Sequence, residues 1–473
     1  MSLQELNIQV KKDLAYIAHP AAYVDWVKPI EHPEGHVYDV VVIGGGQSGL
    51  SSAFALMRDR VKNILVLDEN PAGIEGPWIT YARMVTLRTP KQLPSIDLGI
   101  PSLTFRSWWI AQHGEEGWEE LGKIPREEWM EYLKWYREVL EIPVRNEIKV
   151  DLIEPIDEYV HRLHVSGHGA TEKTILARKV VLATGIQGGG EWHTPDFIKD
   201  NLSKSLYSHT SEMVDFEQLK GKKIGILGGG ASAFDNANYA LGKGVGEVHV
   251  FIRRKEMPSV NPMRILEQSG IIERYMTLSD DEKYVAMDHF FKLNQPPTND
   301  TFDRASSWEG FKFHTDSPWT QVKETPEGVE VTTPHDTFLF DHIIISTGLV
   351  TDPALRPELA KVEQYITRWR DVYQAEKPNQ LIDDHPYLER TFAFASNSEE
   401  GKKALHGLFS FNYSALISCG VSASAISGLR YAVPKLATAI ADELFLDTKE
   451  AILKDYFEYD VVEFTGNDKI AKG

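Results

Sequence analysis

Apolar residues along this chain fall into two kinds of run. Short, continuous, β-branched blocks at 38–43, 63–67, 179–182, 222–227, 247–252 and 342–345 predict buried strands. Other stretches repeat at helical spacing. Leu3, Leu6, Val10, Leu14 and Ile17 predict an N-terminal amphipathic helix, and 125–140 a second helix with Trp129, Leu133, Tyr136 and Leu140 on its core face. Helical composition also follows the strand blocks at 50–57 and up to Leu241. Twice, therefore, a strand, a turn, a helix and a strand follow one another, which predicts an α/β fold. Six of the eleven tryptophans lie between Trp78 and Trp135. Trp108 and Trp109 fall in the less regular part of that stretch, so a pocket-lining role and a core role both stay open for them.

The turns carry the chemistry. The first strand block ends in Gly44-Gly45-Gly46-Gln47-Ser48-Gly49, a GxGxxG arrangement, and the following strand ends at Asp68-Glu69. The first glycine permits the tight turn, the second lets backbone approach a pyrophosphate, and the third lets helix pack on strand. The helix N-terminus offers free N–H groups and the positive end of a dipole to phosphate. Asp68, 19 residues after Gly49, is placed to accept hydrogen bonds from a ribose. The second unit reads Gly228-Gly229-Gly230-Ala231-Ser232-Ala233, a GxGxxA variant, and its second strand ends in Arg253-Arg254-Lys255 instead of an acid. Arginines there suit a 2′-phosphate, which they grip bidentately; a solvated charge run is the alternative. Two sites of opposite ribose chemistry predict two cofactors, FAD at the first and NADPH at the second. Two more strand blocks end in Ala183-Thr184-Gly185 and Ser346-Thr347-Gly348, where the chain would cross between nucleotide units. The expected organisation is an FAD domain over 1–204 and 346–473 with an NADPH domain inserted at 205–345.

Composition narrows the function. At 473 residues the chain is long enough for about three domain-sized units or two large ones. Lys plus Arg is 50 against 69 Asp plus Glu, a formal charge of −19, which disfavours nucleic acid and anionic membrane surfaces as partners. Cys419 is the one cysteine, so an internal disulfide, a zinc cluster and a CxxC redox pair are excluded, and the expected role is a small buried residue. The start shows no signal-peptide pattern, and no run reaches the length of a membrane span; a cytoplasmic protein is expected.

With these motifs in place, the sequence from about Tyr38 to Leu444 resembles flavin-dependent monooxygenases of the two-dinucleotide-domain type, the group of flavin-containing monooxygenases, Baeyer–Villiger monooxygenases and N-hydroxylases. Glu75-Gly76-Pro77-Trp78 stands where that group commonly has Gly-Gly-Thr-Trp. The group's fingerprint before the second unit keeps its histidine as His209, but its glycine is Ser205 and its aromatic is Met213, which argues against a standard Baeyer–Villiger or flavin-containing monooxygenase. Segments 72–78, 82–93 and 124–133 resemble bacterial FAD-dependent urate hydroxylases.

The resemblance implies a sequence in which NADPH reduces FAD and the reduced flavin places one atom of dioxygen on a small organic substrate, with few protein acids or bases. It further implies a cofactor shell: Gly44, Gly46, Gln47, Ser48, Gly49, Asp68, Glu69, Gly76, Trp78, Arg88, Gln92, Thr184 and Asn412 for FAD, and His209, Gly228, Gly230, Ala231, Ser232, Ala233, Arg253 and Arg254 for NADP. Arg83, Arg88 and Asn412 are candidates near the reacting centre. Either arginine could orient an anionic substrate or hold the flavin pyrimidine, and either could be an ordinary surface salt bridge. No catalytic base and no metal site is expected. The alternatives are an N-hydroxylase or Baeyer–Villiger enzyme, an NADPH-dependent flavin oxidase or reductase, and a protein in which flavin is structural. Oligomeric state and the role of 262–340 are not legible.

Overall fold

The computed structural model describes residues 1–22, 25–464 and 466. The first glycine turn sits at the top of a mixed sheet. Val144–Arg145, Ile64–Leu67, Val37–Ile43 and Thr174–Leu182 run parallel in that order. Val40, Val41 and Val42 have no exposed surface because helices cover the sheet, which is why these strands read as unbroken apolar runs. The long strand Thr174–Leu182 is shared. Its lower half pairs antiparallel with Val160–Ser166, which continues into Lys149–Asp157, and its upper half pairs in parallel with Leu408–Ser410 from far along the chain. Helix Gln47–Arg58 packs against helix Ile426–Asp447.

The second sheet is wholly parallel: Phe311–His314, Glu247–Phe251, Lys223–Leu227, His342–Ile345 and Tyr207–His209. Helix Ala231–Gly242 covers one face through Phe234 and Ala237. An antiparallel meander, Gln321–Thr325, Gly328–Thr332 and Thr337–Phe340, covers the other through Val322, Val329, Val331 and Phe340. Between the sheets the chain leaves and returns side by side, as Gly190–Trp192 pairs antiparallel with Leu349–Thr351.

Several expectations meet particular outcomes here. The N-terminal helix spans Leu3–Tyr16 with a Ser2–Glu5 capping box and buries Leu6, Val10 and Leu14, while Ile17 caps it and is exposed. The helix predicted at 125–140 spans Arg126–Val139, and Trp129, Leu133, Tyr136 and Leu140 are all buried. Trp108 and Trp109 are corrected from the pocket alternative to core packing. They lie on helix Phe105–Glu120, Trp108 buried against Phe105 and Tyr132, Trp109 stacked on Phe105 and donating to the Gly117 carbonyl at 3.0 Å. Their stretch looked irregular because Gly114 breaks the helix with φ 73°. Cys419 is buried, and burial pushes its thiol up to about 12, so it is an inert apolar residue.

Residues 262–293 form helices Pro262–Gln268, Ile271–Arg274 and Asp280–Leu293. Their buried side chains Ile272, Tyr284 and Met287 cluster with Trp369, Ile417 and Val421, not with the core of the second sheet. The inserted unit thus leans on the C-terminal return of the first. Among the described residues no single helix is long and apolar enough to cross a membrane. One apolar pair, Tyr413–Ala423 with Ile426–Asp447, is bent by 101°. Leu429, Val433, Leu436 and Ile440 of its second member are fully buried in the core.

Candidate functional site

The two glycine turns are built alike. Gly44 has φ +108° and Gly228 φ +124°, backbone that favours glycine. A Cβ on Gly44 would stand 2.4 Å from the Ala183 carbonyl oxygen, and one on Gly228 would stand 2.2 Å from that of Ser346. The two small-Thr-Gly segments therefore have a physical role, since each carries the carbonyl that packs on the first glycine of its turn. A Cβ on Gly49 would fall 1.8 Å from the Gly44 carbonyl oxygen and 3.3 Å from Val42. In the second unit Ala233 fills that place, fully buried. The middle glycines differ from all of these. A Cβ on Gly46 or on Gly230 would meet no protein atom within 4 Å. Each turn is thus rigidly packed around one face left open, at the N-terminus of helices Gln47–Arg58 and Ala231–Gly242. That is the shape a pyrophosphate fills, so the residues present fit dinucleotides at both places.

The units diverge at the end of the second strand. Asp68 is buried, and its Oδ2 accepts the Gly45 N–H at 2.7 Å while Oδ1 accepts the Asn70 N–H at 2.8 Å. Its carboxylate braces the turn. Glu69 beside it is exposed. In the second unit the corresponding Arg253 is exposed, Arg254 half-buried, and both line a cleft of about 610 Å³ with Gly228, Gly229 and Gly230. His193, Asn294, Gln295 and Trp319 complete this cleft; nothing in the sequence around them signalled it, because they come from three separate connections. The stretch near Asn294-Gln295, unpatterned in sequence, is therefore a wall of this cleft.

A smaller cavity of about 250 Å³ opens on the far side of Gly230 and is lined by Arg88, Trp192, His209, Ser232 and Gln295. His209 stacks on Trp192, with ring centroids 5.1 Å apart, and burial pushes its ring down to about 4, so it is neutral near pH 7.

The two candidate arginines part company. Arg83 is buried, and its guanidinium donates to the carbonyls of Tyr81 at 2.9 Å, Thr210 at 2.8 Å and Glu212 at 2.7 Å. The bonds to Thr210 and Glu212 join the segment after Trp78 to the unit that carries the second turn. Arg88 pairs through Nη2 with the buried Asp235 of helix Ala231–Gly242. Neither is an ordinary surface salt bridge. Asn412 is also internally engaged: its Nδ2 donates to Leu182 O at 3.2 Å and Thr184 Oγ1 at 3.1 Å, and its Oδ1 accepts the Ser414 N–H at 2.9 Å. It ties the returning chain to the segment that packs on Gly44. The Gln47 side chain accepts the Trp129 indole N–H at 3.1 Å, and Trp129 packs edge-on to Trp78. Ser48 is buried within the turn, Gly76 sits beside Trp78, and Gln92 is exposed. Glu75, given no site role in the sequence, is a buried acid paired with Arg137 at 2.7 Å and bonded to Asn146 at 2.7 Å.

Two open glycine turns on separate parallel sheets, one braced by an acid and one flanked by arginines, define a flavoprotein oxidoreductase of the two-dinucleotide-domain class. Residues 41–290 match the family described as pyridine nucleotide-disulphide oxidoreductase. The chain is 54% identical over 469 residues, 98% of each protein, to the FAD-dependent urate hydroxylase of Xanthomonas campestris pathovar campestris. It belongs to the family of that enzyme. The fold is also that of the ornithine hydroxylase of Pseudomonas aeruginosa (TM-score 0.66, 16% identity, 86% of this chain and 100% of that one). The L-lysine 6-monooxygenase of Pseudomonas syringae is equally similar (TM-score 0.66, 16% identity, 86% and 99%).

Proposed function

We propose that this protein is an FAD- and NADPH-dependent monooxygenase that hydroxylates urate with dioxygen. The observation that carries the cofactor pair is the two open turns with opposite charge at their strand ends. Urate comes from the near-full-length relative. In this reading residues 1–204 and 346–473 hold FAD and 205–345 hold NADPH. Bound flavin supplies hydride acceptance and oxygen activation.

What the chain's own residues do follows from the site. The turn at Gly44–Gly49 takes the FAD pyrophosphate, with Asp68 at the adenosine ribose. The turn at Gly228–Ala233 takes that of NADPH, with Arg253 and Arg254 at the 2′-phosphate. Asn412 and Thr184 fix the returning strand against the first turn, so the flavin wall is held by buried hydrogen bonds. Arg83 ties the two units together through two backbone carbonyls, those of Thr210 and Glu212. Trp78 and Trp129, edge-on to each other with the Trp129 indole bonded to Gln47, exclude water from the side of the first turn.

The deciding experiment is NADPH oxidation by the purified yellow protein with and without urate, with products read by mass spectrometry. Urate-stimulated oxidation giving a product heavier by one oxygen atom, without hydrogen peroxide, is the expected result. Stoichiometric peroxide whatever the additive identifies an oxidase instead, and stimulation by an amine but not by urate identifies an N-hydroxylase.

A further inference from the structure

The coenzyme cleft has two lobes that meet at Gly230, Ser346 and Gly348. The larger holds Arg253 and Arg254 at the strand end, the place of an adenosine ribose. A dinucleotide that crosses the helix N-terminus at Gly230 must carry its other nucleoside away from those arginines, into the smaller lobe. That lobe is shaped by two units at once. Ser232 comes from the helix of the second turn, His209 from the edge strand of the second sheet, Trp192 from the crossing strand, and Arg88 from the segment that follows Trp78.

The polar groups of this lobe are not all used. Arg88 reaches Asp235 through Nη2, yet its buried Nε–H has no hydrogen-bond partner. His209 is 2% exposed, and its Nδ1 lies 2.7 Å from Ser211 Oγ. A buried polar atom left unsatisfied is unfavourable and rare in a folded protein. Arg88 is the one cation among the residues that line this lobe, and its side chain is partly exposed there, which places a charged donor where a polar ligand would lie. Asp235 is itself buried on its helix and fixes the guanidinium, so Arg88 stands at the lobe with little conformational freedom left to lose.

On the reading above, in which NADPH occupies this cleft, we infer that Arg88, oriented by Asp235, is the positioning residue for the nicotinamide half of the coenzyme. It meets acceptor oxygens of the ribose, the carboxamide or the proximal phosphate. Arg88 thereby moves from the FAD shell expected by resemblance to the coenzyme's reactive end. Three arginines then divide the work: Arg253 and Arg254 select the coenzyme at one end, and Arg88 aims it at the other.

The experiment compares equilibrium binding of NADP⁺ and of 2′,5′-ADP, which reaches only the adenosine lobe, to flavin-loaded protein. Because Arg88→Ala alone would strand a buried carboxylate, the main variant is the double substitution Arg88→Gln, Asp235→Asn. The expected result is NADP⁺ binding weakened by about tenfold or more, as for loss of one charge-assisted hydrogen bond, with 2′,5′-ADP within about twofold of wild type. Arg253→Ala serves as the control that weakens both ligands. Unchanged NADP⁺ affinity in the double variant overturns the inference, and so does a parallel loss of both ligands, which would mark a purely structural pair. Wild-type protein that binds neither ligand overturns the coenzyme reading itself, and this inference with it.

Discussion

The two glycine turns make the same backbone shape by different means. In the first, all three glycines of the motif are constrained or open as the motif requires, and a buried acid holds the loop through the Gly45 N–H. In the second, the third small residue is Ala233 and the strand end is cationic and partly exposed. The first turn is embedded in the largest apolar cluster of the molecule, which reaches from Leu6 to Leu444. The second belongs to a smaller unit with a thin core on each face of its sheet. On the proposed reading, this contrast separates the cofactor that stays from the one that leaves. A preformed, braced and buried turn suits a tightly held FAD. A more open cleft flanked by solvent-facing arginines suits a coenzyme that must exchange every turnover.

The contrast is most vulnerable at the third small residue. Gly49→Ala places a methyl 1.8 Å from the Gly44 carbonyl oxygen, between two backbones that cannot part cheaply. Destabilisation of about 3 kcal/mol or more and loss of flavin are expected, measured by thermal unfolding and the visible spectrum. The mirror change, Ala233→Gly, should cost only about 1 kcal/mol through helix propensity and leave flavin content intact.

A methyl at the middle glycines meets no protein atom, so it challenges the ligand and not the fold. Gly46→Ala should lower FAD occupancy with little change in the stability of the flavin-free protein. Gly230→Ala should weaken NADPH and leave the yellow colour. Absorbance ratios and coenzyme titration decide both, and Gly46→Ala with wild-type FAD affinity would refute the assignment of the first turn.

Smaller effects are expected at the strand ends. Arg253→Ala or Arg254→Ala should raise the KM for NADPH by roughly ten- to a hundredfold, since charge-assisted bonds contribute about 1.5–3 kcal/mol each. The KM for NADH should stay nearly constant, and Arg253, nearer the strand, should dominate. A wild type that prefers NADH would leave these arginines as surface charge.

The smallest expected difference is in acid stability. Burial pushes His209, His249 and His342 of the second unit down to about 4, and lowers His314 as well; on the first sheet His161 is pushed down to about 4. The rings pushed down to about 4 are neutral in the fold near pH 7 and gain their protons on unfolding between the usual value near 6.5 and the folded value near 4, and His314 adds in the same direction. Stability should therefore fall as pH drops through that window, and the histidine-rich second unit should loosen first. Limited proteolysis at about pH 5, with fragments mapped by mass spectrometry, should cut within 205–345 before it cuts the first sheet.

The local grammar of this protein was written in its sequence. Strand, glycine turn and helix were legible twice, because the turn demands residues without side chains at fixed spacing and the buried strands demand unbroken apolar runs. The acid at 68 and the arginines at 253 and 254 were legible for the same reason: they sit at a fixed distance from a recognisable turn. The core face of Arg126–Val139 followed from its period. Other assignments had to wait for the folded chain, because they depend on pairs far apart along it. Arg83 and Arg88 looked alike in sequence. One is spent on the carbonyls of 210 and 212, and the other meets Asp235, 147 residues away. Asn412 read as a candidate for flavin, and its place as the clamp on Leu182 and Thr184 was not legible. Helices at 262–293 lie between strands of one unit and bury their side chains against the other. Spacing along the chain fixes which atoms a turn can present, since those atoms are neighbours in covalent structure. It cannot fix which of two similar side chains finds a partner across a cleft, because that is set by how separately folded sheets come together.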